Sequence, residues 1–288
     1  MTKPRRLWSA MLYVPANVPR FVEKAPKAGA DAVVLDLEDS VPHDRKLEAR
    51  ASLAEAIAIA GSGGADVLVR VNRPMRLAVG DIEAAARGGA QGILLTKVLG
   101  PDHVRLAAEI LAETERHPMA IVPMIETAAA VQQTEAIAAS HPRVAGLLVG
   151  AEDLALECGA ASDDELIVMA KRRAVLACVA AGIFPFGTLG TVADYRDPDA
   201  VRALALRSRR SGFVGATCIH PALVPVLREA FSPTPAELDL ARRQLAAAVE
   251  AAKEGRGSFT VDGLMVDEPI LIRARRLLAA AGEDVAGG

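Results

Sequence analysis

Three times along this chain a short apolar run ends in carboxylates. Val33-Val34-Leu35 runs into Asp36, Glu38 and Asp39. Ile121-Val122-Pro123-Met124-Ile125 ends in Glu126, and Leu147-Leu148-Val149-Gly150 leads to Glu152 and Asp153. Unpaired carboxylates are expensive to desolvate, so acids at the ends of buried runs need a reason other than packing. Glu126 and Asp153 lie 27 residues apart (153 − 126 = 27), one βα unit, which sets them on neighbouring strands. Such strands are about 4.8 Å apart. Two carboxylates at that spacing can share one Mg²⁺, a hard cation held at about 2.0–2.1 Å that keeps positions for water and substrate. The competing reading is a pair of salt-bridged acids at a rim.

Other residue types bear on the same chemistry. Arg70 follows Val67-Leu68-Val69, and its planar fork suits a bidentate grip on a carboxylate, from substrate or from Asp36, Glu38 or Asp39. Those three acids could otherwise orient metal-bound water. Lys97, after Leu94-Leu95-Thr96, raises the possibility of a Schiff base. That chemistry needs a desolvated pocket to lower the amine's pKa, and so many acids would keep it charged, so covalent catalysis is disfavoured. His220, in Cys218-Ile219-His220-Pro221, reads more readily as a structural hydrogen-bonder than as a base. Asp267 either caps a final helix with Pro269 in its first turn, or is an acid or base carried by a lid.

Positioning these residues requires strands that all deliver their C-terminal ends to one place. Apolar runs at 11–14, 32–37, 67–71, 92–96, 120–125, 145–149, 183–189 and 214–219 alternate with alanine-rich stretches of helical spacing such as 104–116 and 164–181. Eight strands in regular alternation with helices predict an α/β fold, a (β/α)₈ TIM barrel, whose active sites form at the strands' C-terminal ends. The barrel is expected over residues 1–232. Residues 233–288 form a C-terminal helical extension or lid: Thr234 and Pro235 suit an N-cap and first helical residue of a long helix to about 253, residues 255–263 read as flexible or a hairpin, and a last helix follows.

Composition narrows the function. The 288 residues are 51% hydrophobic and carry a formal charge of −3, which excludes disorder and argues against a nucleic-acid footprint or a polybasic membrane anchor. No run approaches the roughly 18 apolar residues of a membrane span. Lys3, Arg5 and Arg6 before an apolar run imitate a signal peptide, but Pro15 and Pro19 break it with no cleavage region. Three dispersed cysteines without CxxC spacing point to buried thiols in a reducing compartment. A soluble cytoplasmic protein is expected.

At these residues the chain resembles the citrate lyase β-subunit-like proteins of the HpcH/HpaI aldolase superfamily. The carriers are Leu12-Tyr13-Val14-Pro15-Ala16-Asn17, Val34-Leu35-Asp36-Leu37-Glu38-Asp39-Ser40-Val41, Arg70-Val71-Asn72, Ile125-Glu126-Thr127, Gly150-Ala151-Glu152-Asp153-Leu154, Cys218-Ile219-His220-Pro221 and Asp262-Gly263-Leu264-Met265-Val266-Asp267-Glu268-Pro269. The resemblance spans nearly the whole length and implies a Mg²⁺-dependent lyase or synthase that breaks or makes a carbon–carbon bond in a malyl-, citramalyl- or citryl-CoA-like thioester through an enolate. It implies Glu126 and Asp153 as metal ligands, Arg70 on a substrate oxygen, and Glu38 and Asp39 as supporting acids. Asp267 would be the proton-moving acid from the C-terminal segment, commonly across a subunit interface, in a homotrimer or hexamer. The first loop, with Asn17 and Arg20, would border coenzyme A. Two departures stand out: Ala16 and Val18 replace a usual glycine and an often basic residue, and Gly187 falls where relatives commonly carry an acid. An aldolase on free hydroxy-oxo-acids and a non-catalytic metabolite-binding barrel are the alternatives.

Overall fold

The computed structural model describes residues 7–191, 195–253, 255 and 257–283; Lys3, Arg5 and Arg6 lie outside them. The chain divides into two compact units, residues 1–231 and 232–288.

The first unit is the (β/α)₈ barrel expected from the alternation. Its strands are β1 (Ala10–Pro15), β2 (Ala32–Asp36), β3 (Asp66–Val71), β4 (Gly92–Leu95), β5 (Ala120–Ile125), β6 (Gly146–Val149), β7 (Phe184–Phe186) and β8 (Ala216–Cys218). They form one eight-stranded sheet in the order β7-β6-β5-β4-β3-β2-β1-β8, every pairing parallel. Closure rests on a single bridge between Phe186 and Gly215, with Gly187 N–H donating to the Gly215 carbonyl at 2.8 Å. β7 is shorter than the predicted 183–189. Pro185 has no N–H to give a ladder, and Gly187 leaves the strand at φ +127°.

Two apolar layers hold the barrel. Val33, Leu35, Val67, Val69, Ile93 and Ile121 point outward and pack under the helices. Met11, Val34, Leu68, Leu94, Val122 and Met124 fill the lumen, with Trp8 anchored by its indole N–H on Asp66 at 2.9 Å. Among the described residues no helix is long and apolar enough to cross a membrane. Cys178 and Cys218 are buried thiols, their pKa pushed up to about 12 by burial. Cys158, expected to be buried, is exposed at the last position of the helix Ala151–Cys158.

The second unit holds the helix Pro235–Lys253, the hairpin β9 (Phe259–Val261) and β10 (Leu264–Val266), and the helix Glu268–Ala280. Thr234 is the predicted N-cap: its Oγ1 accepts from Glu237 N–H at 3.2 Å, and Glu237 accepts from Thr234 N–H at 2.8 Å, a reciprocal capping box. Asp262 and Gly263 turn the hairpin with φ of 51° and 77°, as a type I′ turn demands.

Candidate active site

Period-two alternation decides which side chains enter the lumen. Met11, Val34, Leu68 and Met124 face it, and the next residues of the same parity are Tyr13, Asp36, Arg70 and Glu126. All four therefore point inward at the C-terminal end of the barrel.

Asp36 and Arg70 are register partners on β2 and β3. Arg70 Nε and Nη2 donate to the two Asp36 oxygens at 2.7 Å each. Burial alone would raise the Asp36 pKa, but the Arg70 and Ser40 bonds hold it below the usual carboxylate value. Arg70 Nη1 also reaches Glu38 at 3.2 Å and Asp39 at 3.5 Å, and its guanidinium lies 5.0 Å from the Tyr13 ring centroid. Pairing of Arg70 with the β2 acids, one of the two readings of its position, is thus realised. Just past β3, Asn72 donates to the Leu37 carbonyl at 2.9 Å and to the buried Asp81 at 2.7 Å.

Lys97 joins the two halves of the acid cluster. Its backbone is left-handed, φ 45°, which costs a non-glycine residue and persists where the surroundings over-determine it. The backbone N–H donates to Glu126 Oε2, while Nζ reaches Glu38 at 2.7 Å, Asp39 at 3.6 Å and Asp153 at 3.7 Å. Partial burial lowers the amine's pKa, but the Glu38 hydrogen bond and the neighbouring charges more than reverse that. Lys97 is a fixed cation, consistent with disfavouring a Schiff base.

Glu126, immediately after β5, is 3% exposed. Burial pushes its pKa up to about 7, the Lys97 N–H lowers it, and Asp153 and Glu38 raise it. Gly150 makes room for it: a Cβ there would fall 2.5 Å from Glu126 Cγ and Oε1. Asp153 stands in the first turn of the helix Ala151–Cys158 and not at a strand end, yet lines the same pocket as Glu126, Arg70 and Asp39. Burial pushes Glu38, behind Lys97, above the usual carboxylate value.

Other predicted residues fall elsewhere. Asn17 and Arg20 do not line this pocket. Asn17 Oδ1 is buried without a partner among the described residues, and Arg20 lies over Phe21 at 4.8 Å. His220 is structural: Nδ1 accepts from Ala222 N–H at 3.2 Å and the ring stacks on Tyr195 at 4.3 Å. Asp267 belongs to the second unit, at the N-cap position of Glu268–Ala280, but its carboxylate makes no capping bond. Tyr13 and Lys171 line the pocket and were not among the predicted residues. Inward parity on β1 would have found Tyr13; Lys171, beside Arg172 and Arg173, looks like a solvated helical face.

Among the described residues no three His, Cys, Asp or Glu side chains gather as a metal cluster. Glu126 and Asp153 would offer hard carboxylate oxygens only, the first of them buried. That fits Mg²⁺, which binds through one or two carboxylates and leaves its other positions to water and substrate.

Fold and pocket together define an α/β-barrel enzyme with its site at the strands' C-terminal rim. The HpcH/HpaI aldolase/citrate lyase family matches residues 9–221, and the chain belongs to that family. It is 36% identical over 275 residues to a (3S)-malyl-CoA thioesterase of Cereibacter sphaeroides, covering 94% of each chain. It is 31% identical to the mitochondrial citramalyl-CoA lyase of Mus musculus, over 96% of this chain and 86% of that one. Among solved structures, protein CitE from Mycobacterium tuberculosis in complex with magnesium, acetoacetate and coenzyme A aligns with a TM-score of 0.80 at 30% identity, covering 97% of this chain and all of that one.

Proposed function

We propose that the chain is a cytoplasmic Mg²⁺-dependent carbon–carbon lyase, or synthase in reverse, acting on a hydroxyacyl-CoA thioester of the malyl, citramalyl or citryl kind. The observation that carries this reading is Glu126: a carboxylate buried at the end of β5, sharing a pocket with Asp153 and Arg70. The family, and the relatives that bind or act on magnesium, oxo-acids and CoA esters, support it. Glu126 and Asp153 would hold the ion, which when bound supplies a Lewis acid for a substrate oxygen.

The remaining work belongs to the chain's own side chains. Arg70, fixed by Asp36, presents a preorganised cation where negative charge develops on the substrate. Lys97 holds Glu38 and Asp39 in place and keeps the acid cluster from self-repulsion. In the cleavage direction the substrate hydroxyl gives its proton to solvent water, the carbon–carbon bond beside it breaks and a carbonyl forms. The bonding pair then passes to the thioester as an enolate, which takes up a proton at carbon. We assign that last proton to Asp267, whose carboxylate is uncommitted to capping. Its supply by a neighbouring copy would make a homotrimer or hexamer the working unit. The first loop, with Asn17 and Arg20, is assigned to the coenzyme A moiety.

The similarity to a malyl-CoA thioesterase favours a second reading, hydrolysis of the same thioester. Products separate the two. Incubation with malyl-, citramalyl- and citryl-CoA, with Mg²⁺ or EDTA, should yield an oxo-acid and a shorter acyl-CoA in an EDTA-sensitive reaction. Free CoA and an intact hydroxy-acid would instead establish the thioesterase, and no turnover of any thioester would remove both.

A further inference from the structure

Tyr13 lines the pocket, yet no step above uses it. Its ring packs against the lumen layer and is partly exposed, with the Arg70 guanidinium 5.0 Å from the ring centroid. Phenylalanine would fill that place and face Arg70 as well, because the attraction belongs to the face of the ring. The hydroxyl is therefore surplus to packing. A largely buried tyrosine O–H usually finds a hydrogen-bond partner, but among the described residues none bonds this one.

The hydroxyl stands in the field of the whole site. Burial raises its pKa above the ordinary phenol value, Arg70 opposes this, and Asp36, Glu126 and Glu38 add to it. It is thus a protonated donor within electrostatic range of both Arg70 and Glu126. Arg70 brings charge to the same place, but its nitrogens are committed: Nε and Nη2 hold Asp36, and Nη1 faces Glu38 and Asp39. Lys97 Nζ is likewise turned to Glu38. An oxygen becoming negative in this pocket meets both cations across their own acids. A preorganised neutral donor supplies what those cations do not.

We propose that the Tyr13 hydroxyl donates a hydrogen bond to the thioester oxygen as it becomes an enolate oxyanion, beside the Arg70 charge. The inference rests on the lyase reading above and adds a catalytic residue to it. No proton changes hands at Tyr13. The bonding pair of the broken carbon–carbon bond spreads onto that oxygen, and the carbon still takes its proton from Asp267.

Tyr13→Phe isolates the hydroxyl, since ring, packing and the contact with Arg70 remain. The full chain, wild type and variant, is assayed with Mg²⁺ on the malyl-, citramalyl- or citryl-CoA that the wild type cleaves. Carboxymethyl-CoA, a thioether whose carboxylate imitates the acetyl-CoA enolate, serves as inhibitor, and Mg²⁺ affinity is measured by calorimetry. The variant should lose about 10²-fold in kcat, as for one oxyanion donor, with KM kept within about twofold. Its inhibition constant for carboxymethyl-CoA should rise at least tenfold, with Mg²⁺ affinity unchanged. Unchanged kcat, a loss confined to KM, or a slower variant that binds carboxymethyl-CoA as before would overturn the proposal and leave the lyase reading intact. Weakened Mg²⁺ binding in the variant would also overturn it, by reducing Tyr13 to a support of the site. Absence of carbon–carbon cleavage by the wild type on every thioester would bring down both readings together.

Discussion

Replacing Glu126 with Gln removes one charge from the buried end of β5 and keeps both the shape and an acceptor for the Lys97 N–H. In the folded protein this carboxyl is displaced from the usual 4.5 to about 7. At about 1.4 kcal/mol per pH unit, its ionised form above pH 7 opposes folding by roughly 3 kcal/mol. The sign follows from proton counting. Between pH 4.5 and 7 the folded state holds the proton that the unfolded state has lost, so wild-type stability falls as pH rises through that window. Glu126→Gln lacks this fall. In EDTA the two proteins should melt together near pH 4.5, while at pH 8 the variant should be more stable by about 3 kcal/mol. At about 2–4 °C per kcal/mol for a barrel of this size, that is roughly 6–12 °C in Tm. Mg²⁺ at a thousandfold excess over Kd should reverse the order by lifting only the wild type, by about 4.1 kcal/mol. Identical pH profiles in EDTA would refute the argument that Glu126 is a strained carboxylate awaiting a cation.

Asp153→Asn should abolish Mg²⁺-dependent turnover and leave the thermal transition of the apo protein nearly unchanged, because its side chain is 35% exposed; near-native turnover would remove it from the metal site. Gly150→Ala leaves every charge in place but sets a methyl 2.5 Å from the Glu126 carboxylate, so titration calorimetry should show Mg²⁺ affinity reduced at least tenfold. Asp267→Asn should spare Mg²⁺ binding and lower kcat by about 10²–10⁴-fold, as for a lost acid–base group; unchanged kcat would reduce it to a helix-terminal residue.

The carboxylates were legible because acids at the end of an apolar run contradict burial, and Glu126 shows the contradiction in full. The barrel was legible from its alternation, and so was the Thr234 cap from its spacing to Glu237. What was not legible depends on pairing. The Arg70 fork finds Asp36 only through the β2–β3 register, which sequence spacing leaves open. Lys97 gains its role from a left-handed backbone that turns its N–H to Glu126 and its amine to Glu38, a conformation no local residue preference announces for lysine. Lys171 sits next to Arg172 and Arg173 and shares their polarity in sequence, while only the helix's rotation distinguishes its buried face from theirs. Strand seven was read too long because apolar residues on either side of Pro185 and Gly187 look continuous, although neither residue sustains a ladder.

The central claim is that Glu126 and Asp153 together hold one divalent cation. Crystals soaked in Mn²⁺ and measured at a wavelength where manganese scatters anomalously test it directly. A single anomalous peak in contact with both carboxylates is the expected result. A peak elsewhere, or none at millimolar Mn²⁺ above pH 7, would contradict the assignment on which the proposed chemistry depends.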